Sequence, residues 1–242
     1  MGGRGTYALR RRLRNFTAPT SSAVRARATA GGGVDEDYIK ATFGSNYTLA
    51  EVKSILGGGA SNVTLTRTTD GVGAIISGNG YNASFRLTKS GNDVTFHGDS
   101  LFARGSNNAQ GDAIRKLGNG LTPAIKSGKV HIVRVGNAIG NAGSTSAQGS
   151  DFWARMGVSA PLSRVFGSNY KDLLPANLKG AKEVADLFLM KGGREWWSGS
   201  KVKNAAGEYI RTGGNRKGFQ GEVNFRNKTS SGYKVAKRYL GL

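Results

Sequence analysis

The first 33 residues of the chain contain seven arginines and no aspartate or glutamate. These arginines are Arg4, Arg10, Arg11, Arg12, Arg14, Arg25 and Arg27. A segment of this composition buries too little apolar surface to offset its ordering entropy, and its guanidinium groups repel one another until a polyanion binds. We therefore expect a disordered basic arm over residues 1–33, with the folded region starting at residue 34.

The remainder of the chain is basic as well. All 15 acidic residues follow the arm, yet the 35 Lys and Arg give the 242-residue chain a formal charge of +20. A surface of this charge gains affinity and association rate for nucleic acid, for an anionic membrane or for a phosphate-rich ligand. High basic charge also serves solubility alone, so composition does not choose among these interpretations.

The residue counts exclude several kinds of site. The chain has no cysteine and two histidines, His97 and His131, which rules out disulfides and cysteine nucleophiles and argues against a metal site. No apolar run approaches the roughly 20 residues of a membrane-spanning helix, and the start lacks a secretory signal pattern. We expect an intracellular (cytoplasmic) protein or one packaged in a virion. The Arg-rich start also fits an organellar transit peptide, and residues 1–6 fit the minimal myristoylation pattern.

Local signals predict two short helices followed by strands. Asp35 and the acids after it open a helix through Phe43, and Thr48 with Glu51 forms a capping box for a second helix, stopped by the glycines at 57–59. Alternating apolar residues over residues 63–102, with a turn at residues 90–93, then predict a meander of three or four antiparallel strands. The sequence predicts an α+β fold with a mixed, mainly antiparallel central sheet flanked by helices.

Later segments extend this pattern. In order, we predict a Gly/Asn-rich loop at 105–111, a helix over 113–125, a strand over 129–135, a short helix at 151–158, an amphipathic helix over 181–197, a hairpin-like stretch at 207–218, a strand over 219–225 and a basic helix from 231. The core is placed at residues 34–162. Residues 163–242 form a basic C-terminal extension that packs on this core or completes it.

The order of elements over residues 35–161 resembles the GNAT acyltransferase superfamily, including a helix that ends at Met156-Gly157-Val158. The resemblance implies that an acyl-CoA lies where the central strands part and that backbone N–H groups opening the long helix hold its pyrophosphate. The family loop reads Gln or Arg, two residues, Gly, one residue, then Gly or Ala. Asn108-Ala109-Gln110-Gly111-Asp112-Ala113 keeps Gly111 and Ala113, but it has Asn108 at the first position and an acid, Asp112, within the cradle.

These positions define the cofactor-binding candidates: Asn108, Gln110, Gly111 and Ala113. No tightly bound cofactor is implied, and acetyl-CoA or another acyl-CoA would be a cosubstrate. Acyl transfer to an amine needs a base. His97 and Asp99 are the candidates because alternation along a strand places both on one side. An exposed strand histidine and a turn aspartate are the alternative interpretation.

Catalysis stays open even if the fold is that of the family. The resemblance implies a tyrosine as the acid on the last helix, and Trp153 occupies that position. An indole N–H is not appreciably acidic. Two other enzyme classes lack their motifs: residues 143–146 with Arg134 resemble ADP-ribosyltransferases without the Glu-x-Glu, and no Gly-x-Ser-x-Gly elbow is present.

A non-enzymatic, nucleic-acid-associated protein is the second hypothesis. Basic residues interleaved with aromatic ones can hold phosphates. The candidates are Arg10, Arg11, Arg12, Arg14, Arg216, Lys217, Lys234, Lys237 and Arg238. The opening Met-Gly-Gly-Arg-Gly resembles the start of tailed-phage head-associated proteins, which implies a bacteriophage structural role with virion proteins as partners.

Overall fold

The computed structural model describes residues 33–60, 62–78, 81–103, 107–138, 148–198, 201–203, 209–211 and 219–242. The predicted arm lies outside the described residues except for Gly33, and so do Arg216 and Lys217 with most of the stretch at 207–218. Nothing in the fold below depends on them.

The first two helices begin where their capping residues predict. They are α1 (Glu36–Phe43) and α2 (Leu49–Gly57). The Asp35 carboxylate accepts a hydrogen bond from the Tyr38 N–H at 2.8 Å, and Thr48 and Glu51 form the predicted capping box. Gly58, at φ +56°, ends α2 in the left-handed region that favours glycine.

A six-stranded open sheet follows. Its strands are β1 (Val63–Thr68), β2 (Gly71–Gly78), β3 (Tyr81–Ser90), β4 (Asp93–Ala103), β5 (Ile132–Ala138) and, near the C-terminus, β8 (Phe219–Asn224). Their order is β1-β2-β3-β4-β5-β8. The β4–β5 pair is parallel and the others are antiparallel. The predicted α+β class with a mainly antiparallel sheet is confirmed. A separate hairpin pairs β6 (Lys201–Lys203) with β7 (Tyr209–Arg211).

The remaining helices connect and cover these strands. They are α3 (Asn107–Lys126), α4 (Gln148–Arg155), α5 (Leu162–Phe166), α6 (Tyr170–Leu173), α7 (Val184–Leu189), α8 (Gly193–Ser198) and α9 (Ser231–Leu240). Helices α2 and α3 pack against β3, α4 against β5, and α9 against β8. The core lies between these helices and the alternate residues of the sheet, among them Val72, Phe85, Leu87, Phe96 and Val133.

Two predicted segments are corrected. The single helix over 181–197 is wrong, because Gly192 has φ +78° and a Cβ at Gly193 would lie 2.0 Å from the Leu187 carbonyl oxygen; α7 and α8 are separate helices. The loop at 105–111 is also shorter than predicted, since α3 already begins at Asn107. Leu117 and Leu121 are buried and hold α3 against the core. Once this part is helical, each further residue toward the N-terminus adds a hydrogen bond, so the helix extends to Asn107.

Candidate functional site

The parallel strands β4 and β5 part after four residue pairs. Residues 95–98 pair with residues 132–135. Beyond them β4 stays paired with β3 as far as Ala103, while β5 stays paired with β8 as far as Ala138. Within the described residues, 99–103 and 136–138 therefore have no ladder partner across the space between them. We call this space the β4–β5 gap; backbone groups on its two edges need partners from elsewhere.

A β-bulge lies at the point of separation. Ser84 pairs with Ser100 and Phe85 pairs with Gly98, so Asp99 is an extra residue in β4. A bulge bends its strand and increases the local twist. The bend lies next to Gly98, the last residue of β4 that pairs with β5. The bulge in β4 is therefore the structural cause of the gap.

The indole of Trp153 packs beneath this last pair on the helical side of the sheet. A Cβ at Gly98 would lie 3.1 Å from Cζ2 of Trp153 and 3.5 Å from Cγ2 of Val135. Trp153 is buried and its ring centroid is 6.3 Å from that of Phe96. Because Gly98 has no side chain, the tryptophan closes the base of the gap with an apolar surface.

Helix α3 starts four residues after the end of β4. Asn108, Gln110 and Gly111 therefore lie in its first two turns and not in the loop predicted for them, and Ala113 lies in the helix as predicted. The carboxyl ends of two neighbouring parallel strands lie at one edge of a sheet, so the chain enters α3 from the edge where the gap opens. The first backbone N–H groups of a helix have no intrahelical partner and favour an anion.

Asp99, the bulged residue, is bound by an arginine of β3. Arg86 Nε donates to Asp99 Oδ2 at 2.7 Å and Arg86 Nη2 donates to Oδ1 at 3.0 Å. The carboxylate raises the pKa of Arg86 further above its usual value. Both carboxylate oxygens of Asp99 are thus engaged by one guanidinium in a bidentate, charge-assisted pair.

His97 lies on the same face of the sheet as Asp99 but has a different partner. Its Nε2 is 2.9 Å from Thr88 Oγ1. Burial, followed by the positive charge of Arg86, lowers the pKa of His97 below its usual range. The imidazole is therefore neutral at pH 7.

The sequence analysis did not identify Arg86 and Thr88 as partners of Asp99 and His97, although the β3–β4 register places both. Arg86 stands directly opposite His97, and Thr88 stands opposite Thr95 on the same face. Cross-strand neighbours interact as a unit of sheet structure. The predicted hairpin turn at residues 90–93 fixes this pairing, so counting back from the turn was the available signal.

The predicted phosphate-binding residues of α9 separate into two kinds. Lys234, Lys237 and Arg238 are all exposed, but Arg238 Nη1 also donates to the Phe188 carbonyl oxygen at 2.9 Å. Arg238 thus ties α9 to α7. Among the residues that the structure describes, no His, Asp and Glu side chains group to hold a metal ion, and no helix has the length and apolar character to cross a membrane.

No family model matches the chain, and no curated protein or solved structure matches it either.

Proposed function

We propose that the chain binds an acyl-CoA in the β4–β5 gap, with the GNAT-like arrangement that the order of its elements resembles. The separation of β4 from β5 after Gly98 and Val135 carries this proposal. Where two neighbouring strands diverge, their backbone N–H and C=O groups are left available to pair with a ligand. The gap opens at that end of two parallel strands and has an apolar base formed by Trp153.

The chemistry of an acyl-CoA suits each part of the gap. Its pantetheine arm has two amides, which can pair with the strand edges at residues 99–103 and 136–138. Its pyrophosphate suits the start of α3, where unpaired N–H groups and the helix dipole favour negative charge. Asp112 opposes that anion by Coulomb repulsion. We therefore expect Asp112→Asn to tighten binding several-fold.

Acyl transfer to an amine would need proton transfer at the acceptor nitrogen and at the leaving thiolate. If transfer to an amine occurs, the acceptor nitrogen loses its proton as the N–C bond forms, and His97 is the residue to accept that proton. The C–S bond breaks and the thiolate leaves. Trp153 cannot protonate this thiolate, because an indole N–H is a hydrogen-bond donor and not an acid at neutral pH.

Two matched variants of α3 test the position of the pyrophosphate. Gly111→Asp adds a negative charge in the second turn of the helix, and Gly118→Asp adds the same charge further along, where a Cβ would meet no atom within 4 Å. We expect isothermal titration with acetyl-CoA, at salt high enough to screen generic anion binding, to give about tenfold weaker binding for Gly111→Asp. Gly118→Asp should bind like the unaltered chain.

An equal loss in both variants would assign the effect to net charge and reject this position for the pyrophosphate. Absence of acetyl-CoA binding by the unaltered chain would reject the proposed function itself. ATP and inorganic pyrophosphate are the comparison ligands, since either would match acetyl-CoA if only phosphate groups were recognised.

A further inference from the structure

We propose a second binding surface, unrelated to the β4–β5 gap: the seam between α7 and α9, which we infer docks the phosphate backbone of double-stranded nucleic acid. The seam is defined by Lys182, Lys234 and Lys237. All three side chains are exposed. None of them makes an ion pair among the described residues of the chain.

The acids at this seam are turned inward to uncharged donors. Asp186 Oδ2 accepts the backbone N–H groups of Lys182 at 2.8 Å and Glu183 at 3.1 Å. Its Oδ1 accepts the Ser231 hydroxyl at 2.7 Å. Glu183 Oε2 accepts the Ser159 hydroxyl at 2.9 Å. The contacts of Asp186 hold α7 against α9, and the seam lysines face solvent without an ion-pair partner among the described residues.

The same contacts align the lysines. Asp186 joins the backbone of Lys182 to Ser231, the first residue of α9. Lys234 and Lys237 follow at three-residue spacing, which places their backbones about 4.5 Å apart along the helix axis. The result is a short row of ammonium groups that begins at Lys182 and continues along α9.

Arg238 holds this row in place and does not extend it. Its guanidinium donates to the Phe188 carbonyl oxygen near the end of α7, and Tyr239 packs edge-on against Phe188 with ring centroids 6.3 Å apart. On the other side of α9, Val235 and Ala236 are fully buried. The helix is thus fixed with Lys234 and Lys237 facing outward.

Duplex nucleic acid is the partner that these features fit. Lysine ammonium groups contact phosphates as point charges and carry no base readout, so binding should be independent of sequence. A membrane-binding helix would instead present large apolar side chains beside its cations. The tyrosines of α9, Tyr233 and Tyr239, are packed against the core.

The first test compares two triple variants of the full chain that lose the same charge. K182Q/K234Q/K237Q removes the seam lysines, and K40Q/K53Q/K126Q removes three exposed lysines of α1, α2 and α3. At about 0.15 M salt we expect the seam variant to bind a 20-base-pair DNA duplex about tenfold more weakly, with the slope of log K against log salt reduced by about 2–3. The control variant should stay within about threefold of the unaltered chain. Equal losses would overturn the proposal.

The rate at which individual lysines react with an acylating reagent is a second test, and this reagent does not report on the arginines near the start of the chain. With saturating duplex, Lys182, Lys234 and Lys237 should react more slowly with an acylating reagent than in the free chain, while Lys53 keeps its reactivity. Unchanged reactivity at all three seam lysines would overturn the proposal. Loss of binding to phosphatidylserine vesicles in the seam variant, with DNA binding intact, would assign the surface to membranes instead.

Acetyl-CoA binding separates this inference from the proposed function. The seam variant should keep the affinity of the unaltered chain for acetyl-CoA, because its substitutions lie on α9 and before α7. Either proposal can therefore fail while the other holds.

Discussion

The guanidinium of Arg86 binds both carboxylate oxygens of Asp99 across the β3–β4 pair, at 2.7 Å and 3.0 Å. Their side chains are 22% and 24% exposed, so water screens the pair only partly. The bulge that places Asp99 beside Arg86 is also the point where β4 leaves β5. The ion pair therefore stabilises the edge of the proposed ligand gap.

Removing one partner of this pair should cost more than removing both. We expect Asp99→Ala to lower the free energy of unfolding by about 2 kcal/mol, because Arg86 is left half-buried without its counter-ion. The double variant Arg86→Met/Asp99→Leu should recover part of that loss. Urea denaturation is measured for the unaltered chain, for Asp99→Ala, for Arg86→Met and Asp99→Leu singly, and for the double variant. A double variant as unstable as the sum of the two single variants would show that the residues do not act as a pair.

Stability should fall between pH 7.5 and pH 5.5 because of the two histidines. Burial lowers the pKa of both, together with the charge of Arg86 for His97 and of Arg226 for His131. An unfolded histidine has a pKa of about 6.5. At pH values well above this, both histidines are neutral in the folded and in the unfolded chain. As the pH falls through 6.5, the unfolded chain binds protons first, and stability declines until the pH is below the folded-state pKa.

Replacement of both histidines by glutamine should flatten this decline. His131 Nδ1 accepts the Val94 N–H at 3.0 Å, a hydrogen bond that protonation would remove. Glu51 titrates in a separate, more acidic range, because its hydrogen bond from Lys129 lowers its pKa below the usual value. Thermal unfolding of both chains at pH 7.5, 6.5 and 5.5 is the measurement. A double variant that kept the full decline would place its cause elsewhere.

Elements with local signals were predicted well from the sequence. Asp35 and Thr48 mark their helices through hydrogen bonds to residues three positions away, and the turn at residues 90–93 sets the β3–β4 hairpin. The broken helix at Gly192 was missed because an apolar periodicity continues across two glycines. The break depends on how closely Gly193 approaches the Leu187 carbonyl oxygen.

The site was less predictable than the fold because it depends on register. Alternation placed His97 and Asp99 on one face, as the structure has them. It did not reveal the bulge, and so it did not show that Arg86 engages Asp99. The contact between Thr88 and His97 lies between the bulge and the turn at residues 90–93, where the register set by that turn determines it. No local pattern in the sequence marks the extra residue of β4.

The contact between α4 and α9 predicts a strong glycine requirement. Gly157, after α4, has φ +88°, and a Cβ there would lie 2.2 Å from the Gly232 carbonyl oxygen. Gly59 has φ +82° with no atom within 4 Å of its Cβ position. We expect Gly157→Ala to lower the free energy of unfolding by more than about 2 kcal/mol and Gly59→Ala by about 1 kcal/mol. Equal effects in urea denaturation would show that only the backbone conformation matters.

The capping box of α2 should contribute measurably to stability. Thr48→Ala removes the side-chain acceptor for the Glu51 N–H, at 3.2 Å, and we expect a loss of about 1 kcal/mol. Thr69→Ala, in the exposed β1–β2 turn, is the control and should change stability little. Chemical denaturation of the two variants decides the matter. A Thr48→Ala chain as stable as the control would show that Lys129, which also binds Glu51, holds this end of α2 unaided.

Amide hydrogen exchange with and without acetyl-CoA tests the central claim most directly. Binding in the β4–β5 gap should slow exchange at residues 99–103 and 136–138, whose ladder edges face the gap, and at the first turns of α3. Strand β1, at the far edge of the sheet, should exchange as before. Saturating acetyl-CoA that left the gap residues unprotected would contradict binding at this site.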